Sequence, residues 1–337
     1  MDFSFSEEQE LLRAQAQEFL GEHYPAEQVG QLADSEKGWD PASWPELAGL
    51  GWTGVSVSEE EGGAGLGFLE EAVLFEELGR ALYPGPYFST IALALPALTP
   101  ELRKEVAAGG ATWTLALHGD RGLVPDLGVV DRVAVADEDG IWALEGETRE
   151  VLATMDPTRR LGRIGLDGAR RTLLVDADEA LERTAAIRRR ALAALALEAV
   201  GIAQRVLELS VEHAKTREQF GRPIGVYQAV SHALADTYAE TELARSLAYW
   251  AAWCVAEQDG QAQLAAPAAK AYAADAAVAA CERAIQVHGG VGFTWEHVLH
   301  RYYKRAQWIE AFEGFGHEQR AEVARELLDV HAPAAVA

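Results

Sequence analysis

Between Ala111 and Asp178 the hydrophobic spacing of this chain switches from helical to alternating and then switches back. Two helix-patterned blocks therefore flank one short strand-patterned block. That order predicts a mainly α protein with a small β-domain in its middle, divided as a helical domain at 1–110, a β-domain at 111–182 and a four-helix bundle at 183–337. No longer-period repeat is present, which argues against a solenoid.

Helix signals are local and specific. Ser6 can cap a first helix, with Gln9 three residues on completing a capping box, and Leu12, Ala16 and Phe19 then share one face. A second helix is expected from about Asp40-Pro41, carrying Trp44, Leu47 and Leu50 before Gly51 stops it, and a longer one from Leu69 to Leu82. In the middle block the runs Arg132 to Ala136 and Ile141 to Leu144 flank Asp139-Gly140, a hairpin dipeptide, and Asp167-Gly168 precedes a further run from Arg171 to Val175. Beyond Arg183, alanine-rich helices are expected from Ala191 through Glu208 to about Thr216, from Tyr227 to Ala256 and from Ala265 to His288, where Gly289-Gly290 ends the last of them.

Composition narrows the function. A formal charge of −24 and a pI near 4.7 set an acidic field that repels nucleic acid, and no dense basic stripe offsets it. An anionic cofactor then needs a local arginine and backbone N–H groups. Cys254 and Cys281 lie in apolar stretches without metal or redox spacing, so buried thiols in a reducing compartment are expected and no metal is assigned. The N-terminus lacks the marks of a signal peptide and no run is apolar enough to span a bilayer, which predicts a cytoplasmic protein without membrane insertion. The glycine-rich segment from Ser58 to Gly67 suggests a phosphate loop at first sight, but it lacks both the Walker lysine and a following βαβ unit with its ribose-binding acid.

Two C-terminal motifs carry the most information. Thr216-Arg-Glu-Gln-Phe-Gly-Arg-Pro-Ile-Gly-Val-Tyr-Gln228 joins two bundle helices, and Gln286-Val-His-Gly-Gly-Val-Gly-Phe-Thr-Trp-Glu-His297 closes a third. They resemble the two C-terminal signatures of the acyl-CoA dehydrogenase family; Ser58 to Gly67 is similar to its N-terminal glycine segment, and Asp156-Pro-Thr-Arg-Arg160 to its segment ending the β-domain. The resemblance covers nearly the whole chain and implies an FAD-dependent oxidoreductase that dehydrogenates an acyl-CoA thioester between its α and β carbons. It implies that Arg217, Phe220, Gln228, Gln286, Gly289 and Gly290 bind cofactor, most of them reaching a neighbouring subunit's FAD. An arginine suits a diphosphate because its planar fork binds oxygen pairs, and glycines allow close backbone approach. Phe312-Glu313-Gly314 is similar to the family's catalytic segment, which makes Glu313 the candidate base, and a base of this kind needs a dry pocket that raises its pKa.

The match fails in one region. The family's two β-domain segments that line the flavin ring are missing, the block between Gly110 and Asp178 is shortened, and Phe315 and His317 stand where the family has a threonine and a glutamine. These departures remove contacts to the chain's own flavin and spare those to a neighbour's. They lead to the expectation of a subunit that lends the phosphate and adenine half of an FAD site to a paralogous full-length partner, with Glu313 either a working base or a vestige. Such truncated subunits resemble those of heteromeric α2β2 dehydrogenases of actinobacterial steroid side-chain degradation, which implies a bulky CoA thioester and an electron-transfer flavoprotein or similar acceptor. A self-sufficient homo-oligomer using Glu313 and a non-catalytic scaffold subunit are the alternatives.

Overall fold

The computed structural model describes residues 5–331. Five helices precede the sheets: α1 (Glu7–His23), α2 (Ala26–Asp34), α3 (Ser43–Gly49), α4 (Phe68–Ala81) and α5 (Pro100–Ala107). The Ser6 hydroxyl accepts from Gln9 N–H at 3.2 Å, and Gln9 Oε1 accepts from Ser6 N–H at 3.0 Å, so the expected capping box starts α1. On α3 the expected face holds for Trp44 and Leu47, which are buried, but Leu50 is about half exposed. The helix ends at Gly49 and Leu50 is its cap, one step off the buried stripe, before Gly51 takes a φ of +80°. A wholly buried π-helix from Phe88 to Ala94 then leads toward the strands.

Two sheets form the middle block. The first has the order β1 (Trp113–Ala116), β3 (Arg132–Asp137), β4 (Gly140–Glu145), β7 (Arg170–Asp176), and the second β2 (Val124–Pro125), β6 (Leu161–Gly165), β5 (Thr148–Val151). The β1–β3 pair is parallel and the other pairs are antiparallel. Asp137 pairs with Gly140, so Glu138 and Asp139 form the hairpin tip and Gly140 opens the next strand, one residue away from the expected turn. Asp167-Gly168 makes no hairpin at all, since β6 and β7 belong to different sheets and Gly168, at φ +77°, turns the corner between them. Val124, Leu127, Val133, Val135, Leu144 and Ile164 give this unit a small core of its own.

The bundle consists of α6 (Ala177–Thr216), α7 (Gln228–Ala256), α8 (Ala262–His288), α9 (Leu299–Ala311) and α10 (Gly316–His331), with the two-residue strands β8 (Glu218–Gln219) and β9 (Arg222–Pro223) between α6 and α7. Alanines such as Ala194, Ala269, Ala273 and Ala277 are fully buried and let these axes approach closely, and both cysteines are buried free thiols. Glycines let α4 and α6 cross closely. A Cβ on Gly79 would strike the backbone of Glu198, and one on Gly201 would strike the backbone of Glu76 and Arg80.

Beneath that crossing lies a buried ionic cluster joining all three parts of the chain. Arg159 donates to both Glu198 oxygens at 2.8 and 2.9 Å, Arg305 Nε donates to Asp156 at 2.7 Å, and Ser89 Oγ donates to Asp126 at 2.8 Å. Burial pushes the Asp126 carboxyl up to about 6 despite the nearby Arg159. The Asp156-Pro-Thr-Arg-Arg160 segment is thus a structural tie between elements.

Candidate functional site

Glu313 sits in the turn between α9 and α10 with φ +57°, a left-handed conformation that costs a glutamate energy and must be held by its surroundings. Six bonds hold it. Its Oε1 lies 2.9 Å from His118 Nε2, and its Oε2 accepts from Arg188 Nε at 3.0 Å. Its carbonyl accepts from Gln319 Nε2 at 2.6 Å and from Arg188 at 3.2 Å, while the buried Lys270 ammonium donates to the carbonyls of Glu310 and Gly314. Arg188 continues to Glu322 with two bonds of 2.9 Å.

Electrostatics at this carboxylate run opposite to the sequence expectation. Burial pushes the Glu313 carboxyl up, but the hydrogen bond and charge of His118 and then Arg188 outweigh it, leaving the pKa below the ordinary glutamate value. His118 is raised in turn, chiefly by its bond to Glu313. The cleft beside Glu313, walled by Leu115, Leu117, His118, Leu123 and Phe312, has no volume that a water-sized sphere can enter.

The other sequence-predicted residues gather elsewhere, at the end of the bundle. Arg217 caps α6, its N–H bonded to His213 O at 2.8 Å; its guanidinium is exposed and makes no ion pair among the described residues. Phe220 and Gly221, at φ +53° and +77°, form the tip of the β8–β9 hairpin, and Phe220 is 92% exposed. Gln228 opens α7, Gln286 lies in the last turn of α8, and both are exposed. Gly289 caps α8 at φ +63° and ψ −137°, a glycine-only conformation, and nothing lies within 4 Å of a Cβ built on Gly289 or Gly290. The α6 and α8 ends meet through the His213 and His288 rings, stacked at 4.3 Å, with exposed Phe293 and Trp295 following Gly290. The open backbone and uncommitted arginine suit the diphosphate of a dinucleotide.

Glycines 62 to 67 serve packing. The N–H groups of Gly63, Ala64, Gly65 and Leu66 all bond to carbonyls of residues 54 to 58, and Gly67 N–H bonds to Glu70, so none is left for a phosphate. A cavity of about 730 Å³ lies between the first turns of α6 and the α7–α8 turn and contains none of the sequence-predicted residues. Among the described residues no cluster of His, Cys, Asp and Glu could hold a metal, and no helix is long and apolar enough to cross a membrane.

Residues 6–105 match the acyl-CoA dehydrogenase N-terminal domain and residues 184–328 the acyl-CoA dehydrogenase C-terminal domain. Acyl-CoA dehydrogenase IpdE2 of Mycolicibacterium smegmatis is 34% identical, over 96% of this chain and 99% of its own. The chain belongs to the acyl-CoA dehydrogenase family. Membership of this family supports an FAD-dependent oxidoreductase. Two solved structures share the fold of this dehydrogenase at a TM-score of 0.87: a Tcur3481-Tcur3483 steroid ACAD variant, 28% identical with 97% of this chain and 99% of that one covered, and the ChsE4-ChsE5 complex from Mycobacterium tuberculosis, 27% identical with 99% and 100% covered.

Sequence reasoning missed His118 and Arg188, the two partners that define the state of Glu313. Arg188 stands in Arg188-Arg189-Arg190, which fans out around α6: Arg188 to Glu313, Arg189 to Glu182 and Arg190 to Glu71. Helical phase separates the three, but only the tertiary fold says which one meets the Glu313 turn.

Proposed function

We propose that this chain is one subunit of a heteromeric acyl-CoA dehydrogenase, lending Arg217, Phe220, Gln228, Gln286, Gly289 and Gly290 to the phosphate and adenine half of an FAD whose flavin ring sits in a paralogous full-length partner. The observation that carries this reading is the contrast between two places in the C-terminal part: the cleft at Glu313 is closed while the glycine–arginine end of the bundle is open. FAD, where bound, supplies the hydride acceptor. This chain's part is to bind and orient: Arg217 offers a two-pronged cation to the diphosphate, and Gly289 and Gly290 admit it to the backbone. Glu313, its carboxylate already engaged by His118 and Arg188, serves as a structural anion, and the proton is taken from substrate by the partner's site.

Two solved relatives named as pairs, Tcur3481-Tcur3483 and ChsE4-ChsE5, support a hetero-oligomer, α2β2 in the simplest case. The word steroid attached to the first supports a bulky steroid side-chain CoA thioester as substrate, with an electron-transfer flavoprotein or similar carrier taking the electrons. The acidic surface, without a candidate membrane span among the described residues, supports a cytoplasmic setting. The domain limits 1–110, 111–182 and 183–337 belong to the same reading.

The deciding experiment is a flavin count on the chain alone and after co-expression with its genetic neighbour. A colourless chain and a yellow complex that loses its flavin on Arg217→Ala is the expected result. A stoichiometric flavoprotein from this chain alone, reducing an acceptor with acyl-CoA, would refute it.

A further inference from the structure

Three histidines meet at the open end of the bundle. His213 lies in the last turn of α6, His288 in the last turn of α8, and His297 in the segment beyond Gly290. The His213 and His288 rings stack at 4.3 Å with 25° between planes, and His297 closes on His288 at 4.6 Å and 52°.

Their hydrogen bonds fix part of their chemistry. His288 Nδ1 faces the Ala284 carbonyl at 2.8 Å, so that nitrogen carries the proton and Nε2 keeps its lone pair. His297 Nδ1 accepts from Leu299 N–H at 3.3 Å, which puts its proton on Nε2. His288 can therefore present a donor at Nε2 only by taking up a proton, whereas His297 already has one there.

The groups that shift His213 and His297 are all of one sign. The groups that act on His213 are His288 and Arg217, and those that act on His297 are His288 and His213. No carboxylate is among them. Burial first, and then these neighbours, hold His213 and His297 below the ordinary histidine value, and a proton on either ring meets no counter-ion among them. An anion from outside would supply it.

We propose that His213, His288 and His297 form the proton-accepting wall of the anion site at Arg217, so that binding a dinucleotide's diphosphate takes up a proton from solution. The inference rests on the reading that Arg217 meets such a diphosphate. The proton moves from bulk water to one imidazole nitrogen and no bond of the ligand breaks. Stacked rings cannot share more than about one charge before repulsion rises, so the uptake stops near a single proton. Affinity then falls with rising pH, by up to about tenfold per pH unit above the pKa of the free stack.

The test uses the full chain with ADP as probe. Calorimetric titrations in two buffers of different ionisation enthalpy count the protons taken up, and ¹⁵N NMR follows the three imidazoles with and without ADP. Expected are proton uptake on binding, upward movement of the imidazole titrations with ADP, and an affinity that weakens from pH about 6 to about 8. His213→Phe, which keeps a ring but cannot be protonated, should flatten that pH dependence; the NMR titration of the unaltered chain decides the matter should the variant fail to fold. ADP binding that depends on Arg217 yet is flat in pH, with no proton taken up, overturns this inference and leaves the shared-site reading intact. Absence of ADP binding, or binding indifferent to Arg217→Ala, overturns both.

Discussion

The Glu313 carboxylate bridges His118 Nε2 at 2.9 Å and Arg188 Nε at 3.0 Å, tying the end of β1 to the middle of α6 through the α9–α10 turn. A carboxylate so engaged is committed before any substrate arrives. In a catalytic base the same group would be poorly solvated and unpaired, with its pKa driven toward that of the proton it must take.

Glu313→Gln should therefore leave the turnover of the assembled enzyme within about threefold of normal, whereas loss of a working base costs about 10²–10⁴-fold. It should also destabilise the chain by about 1–2 kcal/mol, since Arg188 and His118 lose a charged acceptor. Steady-state kinetics and urea unfolding of the one variant separate the two roles.

The same bridge makes stability depend on pH on both sides. The raised pKa of His118 gives a contribution present in full below its ordinary 6.5 and lost as pH rises through the higher folded value. The lowered pKa of Glu313 gives one present above its ordinary 4.5 and lost as pH falls through the lower folded value. The bridge should be strongest between those two ordinary values, and His118→Gln should remove the alkaline loss from a urea-midpoint series. An unchanged alkaline slope in that variant would assign the loss to other groups.

Asp126 works in the opposite sense. Its carboxyl, raised from 3.8 to about 6 by burial, contributes stability that is present below 3.8 and lost as pH rises through about 6. Asp126→Asn keeps an acceptor for Ser89 and suits the φ of +55° at this position, so it should stabilise the chain near neutral pH by about 1–3 kcal/mol and remove this group's loss of stability between pH 3.8 and about 6. Equal stability of the two chains at neutral pH would show that Arg159 keeps Asp126 ionised.

Gly201→Ala tests the α4–α6 crossing. Its methyl would press on the Glu76 carbonyl and Arg80 N–H, backbone atoms that cannot step aside. Helix propensity favours alanine by about 1 kcal/mol, yet overpacking of this kind costs about 1–3 kcal/mol or more, so a net loss is expected in thermal unfolding.

Much of the chain could be read along its length because its signals are local. The Ser6–Gln9 box, the glycine after α3, the strand runs 132–136 and 141–144 and the alanine-rich helices each depend on residues within a few positions of one another. The two C-terminal motifs were equally legible, because Arg217, Phe220, Gln228, Gln286, Gly289 and Gly290 stand at helix ends and a hairpin tip, where backbone geometry restricts the residue types that fit.

What the sequence could not supply was the partner of each charge. His118 and Glu313 are 195 positions apart, Arg188 and Glu313 125, and Arg159 and Glu198 39. With 53 acidic and 29 basic residues in the chain, nothing local selects among possible pairs. Whether Glu313 is a free base or a bound anion, and whether three histidines spread from position 213 to position 297 form one stack, is decided by where α6, α8 and α9 end against each other. By itself the sequence determined the elements and the residue types at their ends; the tertiary structure decided the protonation chemistry, because a pKa follows from the charges and solvent around a group, and those come from distant parts of the chain.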